Sequence, residues 1–580
     1  MSEARIVSIS GPVLRARATG SFGLREAIEV GPSRLLGEVI RVAEREVVAQ
    51  VYEDTTGLRP GDLVQGSGAA LAVSLGPGLL GHIFDGLLRP LQGGEGPYFA
   101  PGLRGAPPRR FAFEPLVAEG AQLAAGALCG RLRSADGREQ WLLVPPYRSG
   151  RVRKVAAAGD YAEDAALIEL EGADEAPIGM RQRWPVREAR PVAARLPADA
   201  PLVTGQRVID SLFPIAQGGR AAIPGGFGTG KTILLETIAK CCAADVIVYV
   251  GCGERGNEIA GVLEDFPRLV DPRNGRPLME RTVIIANTSN MPVSAREASV
   301  YTAVTVAEYF RDQGLHVALM ADSTSRWAEA MREISGRLGE LPAEGGYPAH
   351  LASRFAEFYE RGGRARTLSG REGSVALIGA VSPPSGDFSE PVTTQTKRYV
   401  RSYWALDTRR AQARFYPAID PLASYCEDAE RLAAWWAAQG NDGYDQRRRE
   451  FLRLLDDQAK LERMARILGK DALPAKSQLS LLCAELVSEG FLRQSAFHDI
   501  DRYCSPARQA AMMRAIGRFV ELASNAVARG VSPVALASLP EYRRLARMKE
   551  DLGEADLAAI AALEHSLDEA IAALESARAA

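Results

Sequence analysis

From Gly225 to Thr232 the chain reads GGFGTGKT, which satisfies the pattern G-x-x-x-x-G-K-[ST]. Glycines in such a run let successive backbone N–H groups turn inward around a phosphate, and a helix opening directly after it adds the positive end of its dipole. Gly225, Gly226, Phe227, Gly228, Thr229 and Gly230 would form the cradle, Lys231 would reach the β- and γ-phosphates, and the Thr232 hydroxyl would ligate Mg²⁺. The context is the one this motif requires, since the apolar AAIP precedes it and the helical pattern TILLETIAK follows. A nucleoside triphosphate is the expected ligand.

Such a cradle calls for a strand ending in a carboxylate associated with Mg²⁺. HVALMADSTSR supplies Asp322 after the apolar run Val317 to Ala321, at the strand end where ligands sit in α/β sheets. The alternative for Asp322 is a helix cap, a role open also to Ser323 or Ser325. Hydrolysis needs a further group to polarise water, and VIVYVGCGERGNE offers Glu254, expected at the same end of the sheet as the phosphates. Arg255 beside it would hold the Glu ionised or meet phosphate oxygens; otherwise the two form a surface ion pair. Glu258, four residues on, either assists at the metal or is structural. Arg326 neutralises phosphate charge or is an ordinary arginine on a helix surface.

These residues need a scaffold, and its texture changes along the 580 positions. IVSISGPVLRARATG and EVVAQVYEDTTGLRPGDLV alternate apolar and polar residues between turn signals, which predicts a small barrel over 1–75. A Gly/Pro-rich stretch over 76–110 reads as a linker, and 111–190 as a β-rich insert without a chemical cluster. Over 191–420, continuous apolar runs (DVIVYVGCG, TVIIANTSN, HVALMADST, SVALIGAVS) alternate with helical stretches, the mark of a parallel sheet covered on both faces. Over 421–580 the apolar residues recur at helical spacing.

The bulk composition closes off several classes. Lys plus Arg total 70 against 72 for Asp plus Glu, and this near balance argues against nucleic acid as the main partner. Seven cysteines without a CxxC pair suit free thiols, and five histidines without ligand spacing disfavour a zinc enzyme. MSEARIVSIS lacks the apolar core of a signal peptide, and no run approaches the ~20 apolar residues of a membrane-spanning helix. A cytoplasmic location is expected, with any membrane role acting through partners.

GGFGTGKT, VYVGCGERGNE, NTSNMPVSAREAS, LMADSTSRWAEAMREISGRLGELPAEGGYPA, GAVSPPSGDFSEP and FYPAID, in that order, resemble the catalytic A subunit of V-type (archaeal and bacterial V/A-type) rotary ATPases. SGPVLRA, LGPGLLGHIFDGLLRPL and QSAFHDIDRYC extend the resemblance over almost the whole chain. It implies a RecA-like, mostly parallel P-loop NTPase core with an N-terminal β-barrel, a β-rich bulge insert and a C-terminal α-helical domain. It also implies that Glu254 activates water, that Asp322 is the Walker B carboxylate, and that Tyr416 of FYPAID and Phe497 of QSAFHD flank the adenine. Core packing is the other reading of those two rings. Thr229 stands where eukaryotic vacuolar members have Cys, and Tyr416 where V-type subunits usually have Phe. The implied partners are a B subunit, which supplies an arginine finger in trans within an alternating ring, a central rotor shaft, peripheral stator subunits and a membrane ion-translocating sector. Run in either direction, the cycle would couple Mg-ATP to H⁺ or Na⁺ movement. An export-type ATPase and a non-enzymatic regulatory nucleotide-binding subunit are the alternatives; the second would lack one of Lys231, Thr232, Glu254 and Asp322.

Overall fold

The computed structural model describes residues 2–91, 109–135, 137–172, 176–256, 261, 264 and 266–579. It divides into two compact units: Met1–Pro197, Ala244–Pro383 and Phe388–Tyr399 form one, and Ala198–Ala243, Pro384–Asp387 and Val400–Ala580 form the other.

The first unit begins with a closed barrel in the order β1-β2-β5-β4-β3-β6. Its strands are β1 (Glu3–Ser10), β2 (Val13–Ala18), β3 (Glu26–Val30), β4 (Leu35–Val42), β5 (Glu46–Val51) and β6 (Leu63–Ala70). Closure comes from antiparallel pairing of Glu3 with Gln65 and Ala4 with Val64, which leaves no free sheet edge. Alternation sends Ile6, Leu14, Ala16, Ile28, Val30, Val39, Ala49 and Val64 into one core.

After the barrel come β7 (Ala72–Leu75) and β8 (His82–Phe84). The insert follows, with β9 (Arg110–Pro115), β10 (Gln122–Leu123), β11 (Leu128–Arg133), β12 (Glu139–Leu143), β13 (Gly150–Val155), β14 (Gly159–Ala162), β15 (Ala166–Leu170) and β16 (Ile178–Gly179). They make two antiparallel sheets, β10-β13-β15-β16 and β12-β11-β9-β14, sharing a core of Phe111, Phe113, Leu132, Val152, Ile168 and Ile178. β17 (Gln182–Pro185) returns to pair with β7, Trp184 opposite Val73.

The unit's central sheet is parallel in the order β24-β22-β20-β21-β8, built from β20 (Val246–Glu254), β21 (Thr282–Thr288), β22 (His316–Asp322) and β24 (Glu372–Val381). β23 (Gly363–Arg366) runs antiparallel beside β24, and β18 (Ala194–Leu196) beside β23. β21, β22 and β24 are buried along almost their whole length, as strands covered on both faces must be. The stretch expected to be a linker contributes to this sheet, because β8 pairs His82 with Val283 and Phe84 with Ile285 of β21. The rest of that stretch, 92–108, lies outside the described residues.

Helix α2 (Val293–Asp312) is buried around nearly its whole circumference, with Glu297, Glu308, Arg311 and Asp312 included. Those charges survive burial because each has a partner: Arg190 lies 2.6 Å from Asp312, Arg311 pairs with the same carboxylate, and Arg361 binds Glu308. α3 (Thr324–Leu338), α4 (Leu351–Tyr359) and α5 (Pro391–Tyr399) complete the unit.

In the second unit, β19 (Arg220–Pro224) runs parallel to β25 (Ser402–Tyr403), which pairs antiparallel with β26 (Tyr425–Cys426). α1 (Lys231–Cys241) follows β19, and α6 (Thr408–Gln412) follows β25. The remainder is helical: α7 (Ala433–Ala438), α8 (Tyr444–Leu468), α9 (Ala475–Val487), α10 (Pro506–Ala528), α11 (Pro533–Ser538), α12 (Pro540–Asp551) and α13 (Leu557–Ala579). α10 starts cleanly, with Ser505 accepting from the Arg508 amide and proline at the first helical position.

Candidate active site

β19 delivers the chain to Gly225 inside the second unit. A side chain at Gly225 would meet Thr229 Oγ1 at 2.6 Å and Leu406 Cβ at 2.8 Å, so only glycine lets the loop fold this tightly. The buried Thr229 hydroxyl closes the turn by donating to the Gly226 carbonyl at 2.8 Å. Gly230 takes the left-handed conformation (φ 87°) at the N-cap of α1, which a side chain would resist. The free amides of the first turn of α1 follow directly, and an anion placed there meets both N–H donors and the helix dipole. Lys231 Nζ lies along the loop and donates to the carbonyls of Gly225 (2.7 Å) and Gly226 (2.9 Å). Thr232 is half-buried in the same turn, while Phe227 at the loop tip is exposed.

Thr229, Gly230, Ile233 and Thr237 line a cavity of about 740 Å³ together with Tyr416 and Phe497. Neither ring is a core residue: Tyr416 is 43% exposed and Phe497 87%. Tyr416 sits against Gly230, where an added Cβ would lie 3.5 Å from the ring, and its hydroxyl donates to the Ala411 carbonyl at 3.3 Å.

Three buried residues with no role assigned from the sequence fasten these walls, and two of them, Gln494 and Asp501, lie within QSAFHDIDRYC. Gln494 accepts from the Arg207 amide at 2.8 Å, and its own amide donates to the carbonyls of Gly205 and Asp501, each at 2.9 Å. The Gln494 backbone N–H reaches the Tyr416 carbonyl at 2.8 Å. Arg207 donates to the carbonyls of Phe491 and Arg493 and pairs with Asp501 at 2.7 Å. The loop carrying Phe497 is thereby tied to the segment just before β19.

Glu254, Arg255, Asp322 and Arg326 belong to the first unit. β20 and β22 run parallel with Gly251 opposite Asp322, so Glu254 and Asp322 both close the C-terminal ends of neighbouring strands. Asp322 is buried and accepts from the Tyr249 hydroxyl at 3.2 Å. The helix-cap alternative is not realised: Ser323 stands at the N-cap of α3 with no side-chain cap, while Ser325 Oγ accepts from the Ser382 amide at 2.8 Å. Arg326 pairs with Glu329 at 2.9 Å on an exposed face, and Arg255 is exposed. The side chain of Glu254 and the whole of Glu258 lie outside the described residues.

Four family models match the chain. They are the β-barrel domain of the ATP synthase alpha/beta family over residues 6–68, the barrel-sandwich domain of ATP synthase alpha/beta subunits over 106–187, the nucleotide-binding domain of that family over 205–426, and the C-terminal domain of V and A type ATP synthases over 433–536. The A subunit of the A-type ATP synthase of Methanopyrus kandleri is 49% identical, over 94% of each chain. Its counterpart in Thermococcus sibiricus is 48% identical, over 94% of this chain and 95% of that one. The chain belongs to the A-subunit family of A-type ATP synthases.

As a member of that family it is the catalytic subunit of a rotary ATPase, an ATP hydrolase and synthase that works within a multi-subunit complex. Its fold also resembles the assembled ATPase EscN of the type III secretion system of enteropathogenic E. coli, with TM-score 0.64 over 88% of this chain and 99% of that one. At 24% identity that is a likeness of fold alone, and the export-type reading is not favoured. Among the described residues no helix of this A subunit is long and apolar enough to cross a membrane. Thr232 and Asp322 are hard oxygen donors, the class Mg²⁺ takes alongside water and substrate phosphates.

Proposed function

We propose that this catalytic chain binds Mg-ATP with its phosphates in the Gly225–Thr232 loop and its adenine between Tyr416 and Phe497. The observation carrying this reading is the cavity lined by both the start of α1 and the two exposed rings. Flat apolar rings in an open cavity are poorly used as core and well suited to a purine face. Lys231 meets the β- and γ-phosphates once its amine leaves the Gly225 and Gly226 carbonyls. Thr232 and Asp322 hold Mg²⁺, directly or through water, with Glu258 assisting; the ion would neutralise charge on the transferred phosphoryl group. Glu254 accepts the proton of the attacking water, Arg255 keeps that carboxylate ionised, and Arg326 balances phosphate charge.

The same reading assigns an arginine finger to the neighbouring B subunit, worth ~10³–10⁵ in rate where such fingers act. The isolated chain then binds nucleotide yet turns over slowly. In the complex, each nucleotide state favours one conformation of the C-terminal helices, which is the condition for driving a central rotor. Ion movement belongs to membrane subunits, and the catalytic chain stays peripheral to them at the cytoplasmic face.

The test is ATPase assay and nucleotide binding on the complex reconstituted with the B subunit, for wild type, Lys231→Ala and Glu254→Gln. Lys231→Ala is expected to lose triphosphate binding. Glu254→Gln is expected to keep it while turnover falls by about 10²–10⁴-fold. Turnover close to wild type in Glu254→Gln removes that carboxylate from the mechanism.

A further inference from the structure

Lys549 lies near the end of α12, and its side chain is part of the wall of the cavity that also carries Tyr416 and Phe497. It is buried, only 6% exposed. A buried ammonium is costly unless its three donors are taken up or a carboxylate lies close. The contacts of Lys549 are long: Nζ to the Arg493 carbonyl is 3.4 Å, and the Glu550 carboxylate is 3.8 Å away.

Neighbouring cations are much better served. Arg207 has two carbonyls and Asp501 at 2.7 Å, and Arg508 donates to the carbonyls of Ile500 (3.0 Å), Tyr503 (3.2 Å) and Lys549 itself (2.8 Å). Asp501, whose charge favours the ammonium, is therefore already committed to Arg207. The bond from Arg508 fixes the Lys549 backbone beside the cavity, while the hydrogen bonds of the amine itself stay long. Burial pulls the Lys549 pKa below its ordinary value, Asp501 opposes that pull, and Arg207 adds to it.

We infer that Lys549 is a substrate contact, its ammonium donating to an acceptor of the nucleoside, on the base edge or the ribose, and not to the phosphate chain. This rests on the reading that the cavity takes the nucleoside. Stacked rings cover the two faces of a base and leave its edge and sugar unsatisfied. The phosphates already have the loop amides and Lys231. A desolvated cation with spare donors gains most from an uncharged acceptor that reaches it inside the cavity.

The experiment uses the full chain with Lys549→Met, which keeps length and volume and removes the charge. Binding is measured for Mg-ADP, a non-hydrolysable ATP analogue and inorganic tripolyphosphate, with Phe497→Ala in parallel. Both nucleotides should bind Lys549→Met about tenfold more weakly than wild type. Tripolyphosphate should bind equally to both proteins, and the thermal midpoint should not fall. Wild-type nucleotide affinity in Lys549→Met, or an equal loss for tripolyphosphate, overturns the inference. If Phe497→Ala weakens nucleotide binding and Lys549→Met does not, the inference alone fails. If neither does, the cavity reading fails with it.

Discussion

Arg187 and Lys549 are both buried cations, and the protein treats them in opposite ways. Arg187, in the first unit, lies between two buried carboxylates. It reaches Glu38 of β4 at 3.0 Å and Glu297 of α2 at 2.6 Å, and stacks 4.9 Å from the Tyr301 ring centre. Glu38 is further held by Tyr52 and Gln50, so every charge in the group is answered. Lys549, in the second unit, sits at a cavity wall with contacts of 3.4 Å and 3.8 Å. The first arrangement joins barrel strand to core helix and leaves little for a ligand to improve. The second leaves donors that the protein itself satisfies poorly and that an incoming acceptor can take up. Partner distance, more than burial itself, separates a structural charge from one kept for binding.

The comparison is tested hardest at Arg187. Arg187→Ala strands Glu38 and Glu297 in a buried setting without the guanidinium that both bind, and the expected loss is about 3–5 kcal/mol. Denaturant unfolding of the full chain, followed by tryptophan fluorescence, reads it. The combination Arg187→Met, Glu38→Gln and Glu297→Gln removes all three charges and should recover more than half of that loss, since a neutralised group no longer carries an orphaned ion. A cost below about 1 kcal/mol for Arg187→Ala would show that the network is solvated and holds nothing in place.

What was legible in the sequence follows the same division between local and distant causes. The phosphate loop, the barrel strands and the buried strands around Asp322 announce themselves because glycine spacing and apolar period are properties of neighbouring residues. β8 did not: three residues, His82 to Phe84, inside a Gly/Pro-rich stretch carry too short a pattern, and their partner strand begins at Thr282. That Asp322 does not stand at the cap of α3 is visible only in three dimensions, where Ser323 takes the N-cap position and Asp322 accepts from Tyr249 of another strand. Tyr416 and Phe497 came from resemblance, and their exposure is what separates them from core rings. Lys549 had no signal at all. In PEYRRLARMKED a lysine reads as the solvated face of a charged helix, and its burial, with Arg493 and Arg508 bonded to it, comes from distant parts of the chain.

On the cavity side the comparison predicts loss of binding without loss of stability. Phe497→Ala should weaken nucleotide affinity by about tenfold, the cost of one stacking face, and leave the unfolding midpoint unchanged, because an 87% exposed ring buries almost nothing. Tyr416→Phe keeps the ring and drops one 3.3 Å hydrogen bond to Ala411, so its affinity should stay within about twofold of wild type. A large fall in stability for Phe497→Ala would mean that the ring packs in the folded protein, and the contrast with Arg187 would then lose its meaning.

The smallest expected effects are in pH dependence, and they separate the two cations by cause. Burial opposes ionisation of Glu297, but the Arg187 charge and hydrogen bonds override it and hold the carboxyl below its ordinary 4.5. A depressed carboxyl contributes stability above 4.5 that is lost as pH falls through the folded-state value. Lys549 is also depressed, by burial, below its ordinary 10.5. Between its folded value and 10.5 the unfolded chain binds the proton more tightly, so stability rises with pH there and the penalty is full below that window. Both sites give a positive slope, one from an attraction lost in acid and the other from a burden lifted in alkali. Unfolding midpoints against pH should therefore show the neutralised Arg187 network flattening only the acid limb. Lys549→Met should be at least as stable as wild type at neutral pH, with the difference shrinking toward pH 10.5. A Lys549→Met protein that is less stable at neutral pH, and whose deficit shrinks in alkali, would place Lys549 with Arg187 among the satisfied charges.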